Sequence, residues 1–133
     1  MFNLSDVITH GHLKMLKDSA LGRGGMLKIY DSDTKMWGMV CNNKWDDQDA
    51  FVACQQLGFE EGVRVRNHIV KSSPGISSFS LSDFSCLNNQ SKLINCDHKR
   101  CTTISCRRCL VAGLFCYNQH CKYVLDTIMH GSN

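Results

Sequence analysis

Residues 36–59 read MWGMVCNNKWDDQDAFVACQQLGF, and the fold turns on this stretch. Trp37, Met39 and Cys41 alternate along its first part, the pattern of a half-buried strand. Asp46 or Asp47 can then cap a helix on which Ala50, Ala53, Cys54 and Leu57 recur at helical spacing until Gly58 ends it. One strand thus runs into one helix, and each turns a cysteine inward. Two such cysteines, thirteen residues apart, read as the framework of a stapled domain rather than as a reactive site.

Working outward, residues 26–30 alternate Met26, Lys28 and Tyr30 against Leu27 and Ile29, and Asp31-Ser32-Asp33 supplies the turn of a hairpin with the strand at Trp37. Residues 63–66 alternate valine with arginine, a strand with one apolar and one basic face. Pro74-Gly75 breaks the chain, residues 79–84 resume an extended pattern, and residues 110–116 are apolar enough for a buried last strand. The predicted fold class is α+β: a curved antiparallel β-sheet cradling a single α-helix, disulfide-stapled. At 133 residues one such domain can bury roughly two-thirds of the surface its unfolded chain exposes.

The domain is expected over residues 25–117. Residues 1–24 read as a flanking arm or linker closing in Gly22-Arg23-Gly24-Gly25, with a helix over 12–21 that gathers Leu13, Leu16 and Ala20 on one side. Residues 118–133 form a C-terminal tail.

Nine cysteines, without regular zinc-finger spacing or an obvious catalytic partner, place the chain in an oxidising, extracellular or secretory compartment. Yet residues 1–20 are interrupted by His10, His12, Lys14, Lys17 and Asp18, and no stretch is long and apolar enough to span a bilayer. The expectation is a fragment of a longer secreted or membrane-anchored polypeptide. The net charge of +3 is too small to name nucleic acid as a partner, and the basic residues are not interleaved with exposed aromatics.

Five ordered motifs carry a family resemblance: Trp37-Gly38-x-Val40-Cys41 followed by Trp45-Asp46-Asp47; Ala50-x-Val52-x-Cys54-x-Gln56-Leu57-Gly58-Phe59; residues 81–86, LSDFSC; Leu93-Ile94-Asn95-Cys96; and Cys106 ten residues before the end of Ala112-Gly113-Leu114-Phe115-Cys116. Over residues 25–117 the chain resembles the scavenger receptor cysteine-rich (SRCR) domain in its six-cysteine, group A-like form, with Phe59 where the eight-cysteine form carries a further cysteine. The resemblance implies that Cys41 pairs with Cys106, Cys54 with Cys116 and Cys86 with Cys96. Cys101, Cys109 and Cys121 fall outside the pattern. One extra local bridge plus a cysteine that pairs with another chain accounts for them, and a free buried thiol is the next option. A zinc cluster drawn from Cys96, His98, Cys101, Cys106, Cys109, Cys116 and Cys121 would have to consume the cysteines the scaffold needs. Cys106-Arg107-Arg108-Cys109 has the spacing of a redox pair, but lacks the helix N-terminus expected after a strand.

Many domains of this kind hold calcium through an aspartate pair after the first cysteine and a glutamate before the last. Here Asn42 and Asn43 stand at the first place, and Arg108, Cys109, Leu110 and Val111 at the second, so no metal site of that type is expected. Asp46, Asp47 and Asp49 are better spent on capping the helix. Basic residues take over: Lys99, Arg100, Arg107, Arg108 and Lys122 face Asp97 alone across residues 96–123, a local charge of +4, with His98 and His120 able to add to it in acid. Arg64, Arg66, His68 and Lys71 form a second group. Lys99, Arg100, Arg107, Arg108, Arg64 and Arg66 are therefore candidate binders of sulfated glycans, microbial surface polymers or an acidic protein. Asn89 and Asn3 head glycosylation sequons. No nucleophile, base and orienter occur together, and no cofactor motif is present. The reading is a non-catalytic extracellular recognition domain of scavenger-receptor type; the alternative is an accessory interaction domain of a secreted modular enzyme, a serine protease or lysyl oxidase.

Overall fold

The computed structural model of the chain describes residues 7–17, 24–66 and 78–118. Asn3, His68, Lys71, His120, Cys121 and Lys122, and residues 119–133 as a whole, lie outside them. The elements run β1 (Leu13–Lys17), β2 (Gly24–Asp31), β3 (Met36–Val40), α1 (Asp47–Gln56), β4 (Glu61–Val65), β5 (Phe79–Ser85), a short 3-10 turn (Leu93–Asn95), β6 (Asp97–Arg100) and β7 (Gly113–Tyr117). All seven strands join one sheet that curls into a half-barrel, in the order β4-β7-β2-β3-β5-β6, with β1 on β2. The curl arises at β2, which changes neighbours along its length: Gly24 to Met26 pair with β7, and Lys28 to Asp31 with β3.

The sheet is mixed rather than purely antiparallel. β3 and β5 run parallel, with Met39 opposite Phe79 and Val40 opposite Leu81. A hairpin would have forced them antiparallel, but the connection between them carries α1 and β4 and is long enough to return the chain in its original direction.

The helix expected over 12–21 does not form: Leu13–Lys17 is a strand, in register from Leu13 opposite Ile29 to Lys17 opposite Gly25. Pairing partners, absent from a local pattern, decide this. Leu13 and Met15 turn to the main core while Leu16 packs on Met26, Met39 and Val111, so alternate faces are both covered. Gly25 permits the approach, because a β-carbon there would lie 2.0 Å from the Leu16 carbonyl oxygen.

Helix α1 starts in a capping box. Asp46 Oδ1 accepts from the Asp49 backbone N–H at 2.9 Å and Asp49 Oδ2 accepts from that of Asp46 at 3.0 Å. It ends at Leu57, with Gly58 in the left-handed region at φ +98°. Its inner face is small, Ala50, Val52, Ala53 and Cys54, and lies against Leu27, Ile29, Val40, Leu81, Phe84, Leu93 and Leu114.

Among the described residues four bridges fasten these layers. Cys54–Cys116 ties α1 to β7, Cys86–Cys96 ties the end of β5 to the 3-10 turn, and the others are Cys41–Cys109 and Cys101–Cys106. The expected pairing of Cys41 with Cys106 is thus corrected. Cys41 sits opposite Val111, and the Asn42 N–H donates to the Leu110 carbonyl, which brings the Cys109 α-carbon to 5.3 Å. Cys106 is drawn back toward Cys101 by the tight turn between them. Cys101 and Cys109, unassigned by sequence, are therefore both bridged. The zinc reading loses its ligands, since Cys96, Cys101, Cys106, Cys109 and Cys116 all lie in disulfides and offer no thiolate.

Candidate ligand-binding site

A cleft of about 670 Å³ opens where the loop leaving β3 meets the end of β4, lined by Asn42, Lys44, Trp45, Arg64, Val65, Arg66 and Leu110. Its walls are fixed from beneath. The Cys41–Cys109 bridge and the Asn42 to Leu110 hydrogen bond anchor the loop, and Lys44 takes a positive φ of 61° to complete the turn into Trp45. Trp45 is buried, packs edge-on against Phe84 and donates from Nε1 to the Gly113 carbonyl at 2.9 Å. Both ends of this amphipathic ring are thereby satisfied.

Three cations line the cleft, and no carboxylate does. Arg64 is partly oriented: its backbone N–H donates to Asp47 Oδ1 at 3.0 Å, its Nη1 to the Trp45 carbonyl at 3.4 Å, and its Nε stands 4.0 Å from Asp47 Oδ1. Both side chains of that pair are well exposed, so it neutralises little. Among the described residues no carboxylate lies within salt-bridge distance of Lys44 or Arg66. Guanidinium forks with a mobile ammonium suit sulfate, phosphate or carboxylate groups.

The basic residues named from sequence are not equivalent. Arg100 is committed to the hairpin between β2 and β3, where it pairs with buried Asp31 and bonds Asp33 at 3.0 Å. The hydrogen bond from Arg100 holds the Asp31 carboxyl below the usual range, and Asp31 in turn raises Arg100. Lys99 lies 4.0 Å from Asp83 with its side chain 73% exposed. Arg107 and Arg108 are exposed and have no described carboxylate within salt-bridge distance. Lys44 is the member the sequence reading missed: a single lysine between Asn43 and Trp45 gives no local signal, and its companions come from β4 and the residue that follows it.

Of the aspartates near the cleft, Asp47 faces Arg64 and Asp46 closes the helix cap. Asp49 is fully buried and joins two elements, since its Oδ1 accepts from the Cys86 N–H at 2.9 Å. Burial pushes its pKa up to about 7 against the opposing pull of the two backbone donors. Asn89 is exposed in the turn between Cys86 and Cys96. The sulfurs of Cys41, Cys106 and Cys109 lie within 4.8 Å of one another, and this proximity reflects two neighbouring disulfides.

The scavenger receptor cysteine-rich domain family matches over residues 18–117. The chain belongs to the SRCR family. Galectin-3-binding protein of Bos taurus is 30% identical over 112 residues, 84% of this chain and 20% of that protein. Lysyl oxidase homolog 3 of Homo sapiens is 31% identical over 101 residues, 76% of this chain and 13% of that protein. The chain thus spans a fifth or less of the length of these relatives. Among solved structures, the dimeric form of the SRCR domain of mouse MARCO superposes with a TM-score of 0.58 at 22% identity, covering 84% of this chain and 95% of that one. The third SRCR domain of murine neurotrypsin gives 0.59 at 20% identity, covering 79% and 94%. These likenesses show the fold. Strand β1 precedes the SRCR match yet is part of the same sheet.

Proposed function

We propose that this SRCR domain is an extracellular, non-catalytic recognition module that binds polyanionic ligands, such as sulfated glycans or microbial surface polymers, at the cleft of Lys44, Arg64 and Arg66. The observation that carries the reading is a preformed cleft with three cations in its lining and no carboxylate. Extracellular residence is supported by four disulfides in a small domain. Among the described residues no helix is long and apolar enough to cross a membrane.

Heparin chromatography tests the site. The chain should elute later than a control protein of net charge +3, and Lys44→Glu with Arg66→Glu, which lowers the net charge to −1, should elute with a control of that lower charge. Retention should fall steeply as salt rises. If the double variant elutes with the parent, the cleft is not the site.

The match to lysyl oxidase homolog 3 favours a second reading, an accessory interaction domain within a larger secreted enzyme. A catalytic domain in the flanking sequence of the full-length protein would decide for it.

A further inference from the structure

A second surface stands out, built on the bridge that the family pattern does not contain. Cys101 and Cys106, five positions apart, close residues 101–106 (CTTISC) into a small ring. The ring is anchored below. The Cys101 N–H donates to the Ser80 carbonyl of β5 at 2.9 Å, and Cys106 is buried. Within it, Thr102 and Ser105 exchange reciprocal bonds, each backbone N–H donating to the other's hydroxyl at 2.9 Å, and the Cys106 N–H donates to the Thr102 carbonyl. At the tip stands Ile104, 85% exposed, the most exposed large apolar side chain among the described residues. Its carbonyl accepts from the Arg107 N–H at 3.3 Å, which fixes the exposed arginine pair Arg107 and Arg108 beside it.

A β-branched apolar side chain held in water on a cross-linked, internally bonded ring has already lost the freedom that binding would otherwise remove. Such a side chain has the form of an interface anchor, and neighbouring arginines without described partners set the charge of the rim it would meet.

We propose that the ring is a protein-docking knob: Ile104 enters an apolar pocket on a partner protein while Arg107 and Arg108 pair with carboxylates bordering that pocket. A lipid surface fits less well, because one side chain on a rigid ring offers little apolar depth to a bilayer. None of the ring residues lines the basic cleft, so the two surfaces can be separated by mutation.

The test uses the full chain as bait for two displayed libraries of twelve-residue peptides, one mixing Asp and Glu with Leu, Val and Phe, the other replacing the acids with Lys and Arg. The acidic-apolar library should enrich binders and the basic one should not. Enriched peptides should bind at least tenfold more weakly to Ile104→Asp and to Arg107→Glu with Arg108→Glu. Lys44→Glu with Arg66→Glu should leave them within twofold, which separates the knob from the cleft. Circular dichroism checks that each variant folds. No enrichment, or enriched peptides indifferent to Ile104, overturns the proposal. So does Ile104-dependent sedimentation with phosphatidylserine vesicles, which makes the ring a lipid contact, or Ile104-dependent self-association in velocity sedimentation, which makes the occupant a second copy.

Discussion

Asp49 shows how one carboxyl couples neighbouring elements. It closes the capping box of α1 and accepts the N–H of Cys86 from the loop after β5, so it holds the helix start to the sheet. Burial raises its pKa to about 7 from an ordinary value of 3.8. The fold therefore binds a proton that the unfolded chain has already released between those values. Stability owed to this group is full below about pH 4, declines as pH rises toward 7 and is flat above. Thermal midpoints measured from pH 4 to 8 should show that decline, and Asp49→Asn should remove it while lowering the midpoint throughout. Asp31 has the opposite sign: Arg100 lowers its pKa, so its contribution is lost only as pH falls below the ordinary carboxylate range. Neither behaviour follows from the residue type: tertiary burial raises Asp49 against the opposing bond from Cys86, and Arg100, 69 positions away in the chain, lowers Asp31.

Between elements, α1 and β4 meet at a glycine. A β-carbon at Gly62 would lie 2.2 Å from Cys54 Sγ and 3.1 Å from the Ala50 carbonyl oxygen. Gly62→Ala should cost about 3 kcal/mol, at the upper end of overpacking, and leave part of the refolded population with Cys54 and Cys116 as free thiols detectable by mass spectrometry. Gly58→Ala makes the contrast. Nothing lies within 4 Å of its β-carbon position, but φ is +98°, so only the backbone term of about 1 kcal/mol applies, readable in urea denaturation. The sequence marked Gly58 as a helix stop from its place after the last periodic residue. Gly62 carried no such mark, since the sulfur it accommodates belongs to another element.

For the whole molecule the bridges set the hierarchy. In the chain-entropy model, closing the 62-residue separation of Cys54–Cys116 is worth about 4 kcal/mol and the 5-residue separation of Cys101–Cys106 about 2. Cys54→Ala with Cys116→Ala should therefore unfold the domain far more readily in urea than Cys101→Ser with Cys106→Ser, which should leave the midpoint modestly lowered. Equal losses would mean that the ring is a structural pillar rather than a surface device. The same hierarchy explains what could be read early. Helix α1, strands β2, β3 and β5 and the apolar β7 segment announce themselves by local period and caps, and the motif order names the family. Strand β1, the parallel β3 and β5 pair and the exchange of Cys109 for Cys106 do not.

By itself the sequence determined the α+β class, the SRCR family and the capped helix, because period, cap chemistry and motif spacing are properties of short stretches. The tertiary structure decided which sulfurs meet, that Lys44 joins Arg64 and Arg66 in one cleft, that Arg100 is tied to Asp31, and that Ile104 stands alone on its ring. Each of these depends on distance between remote residues, which is fixed only when the sheet curls and the layers close.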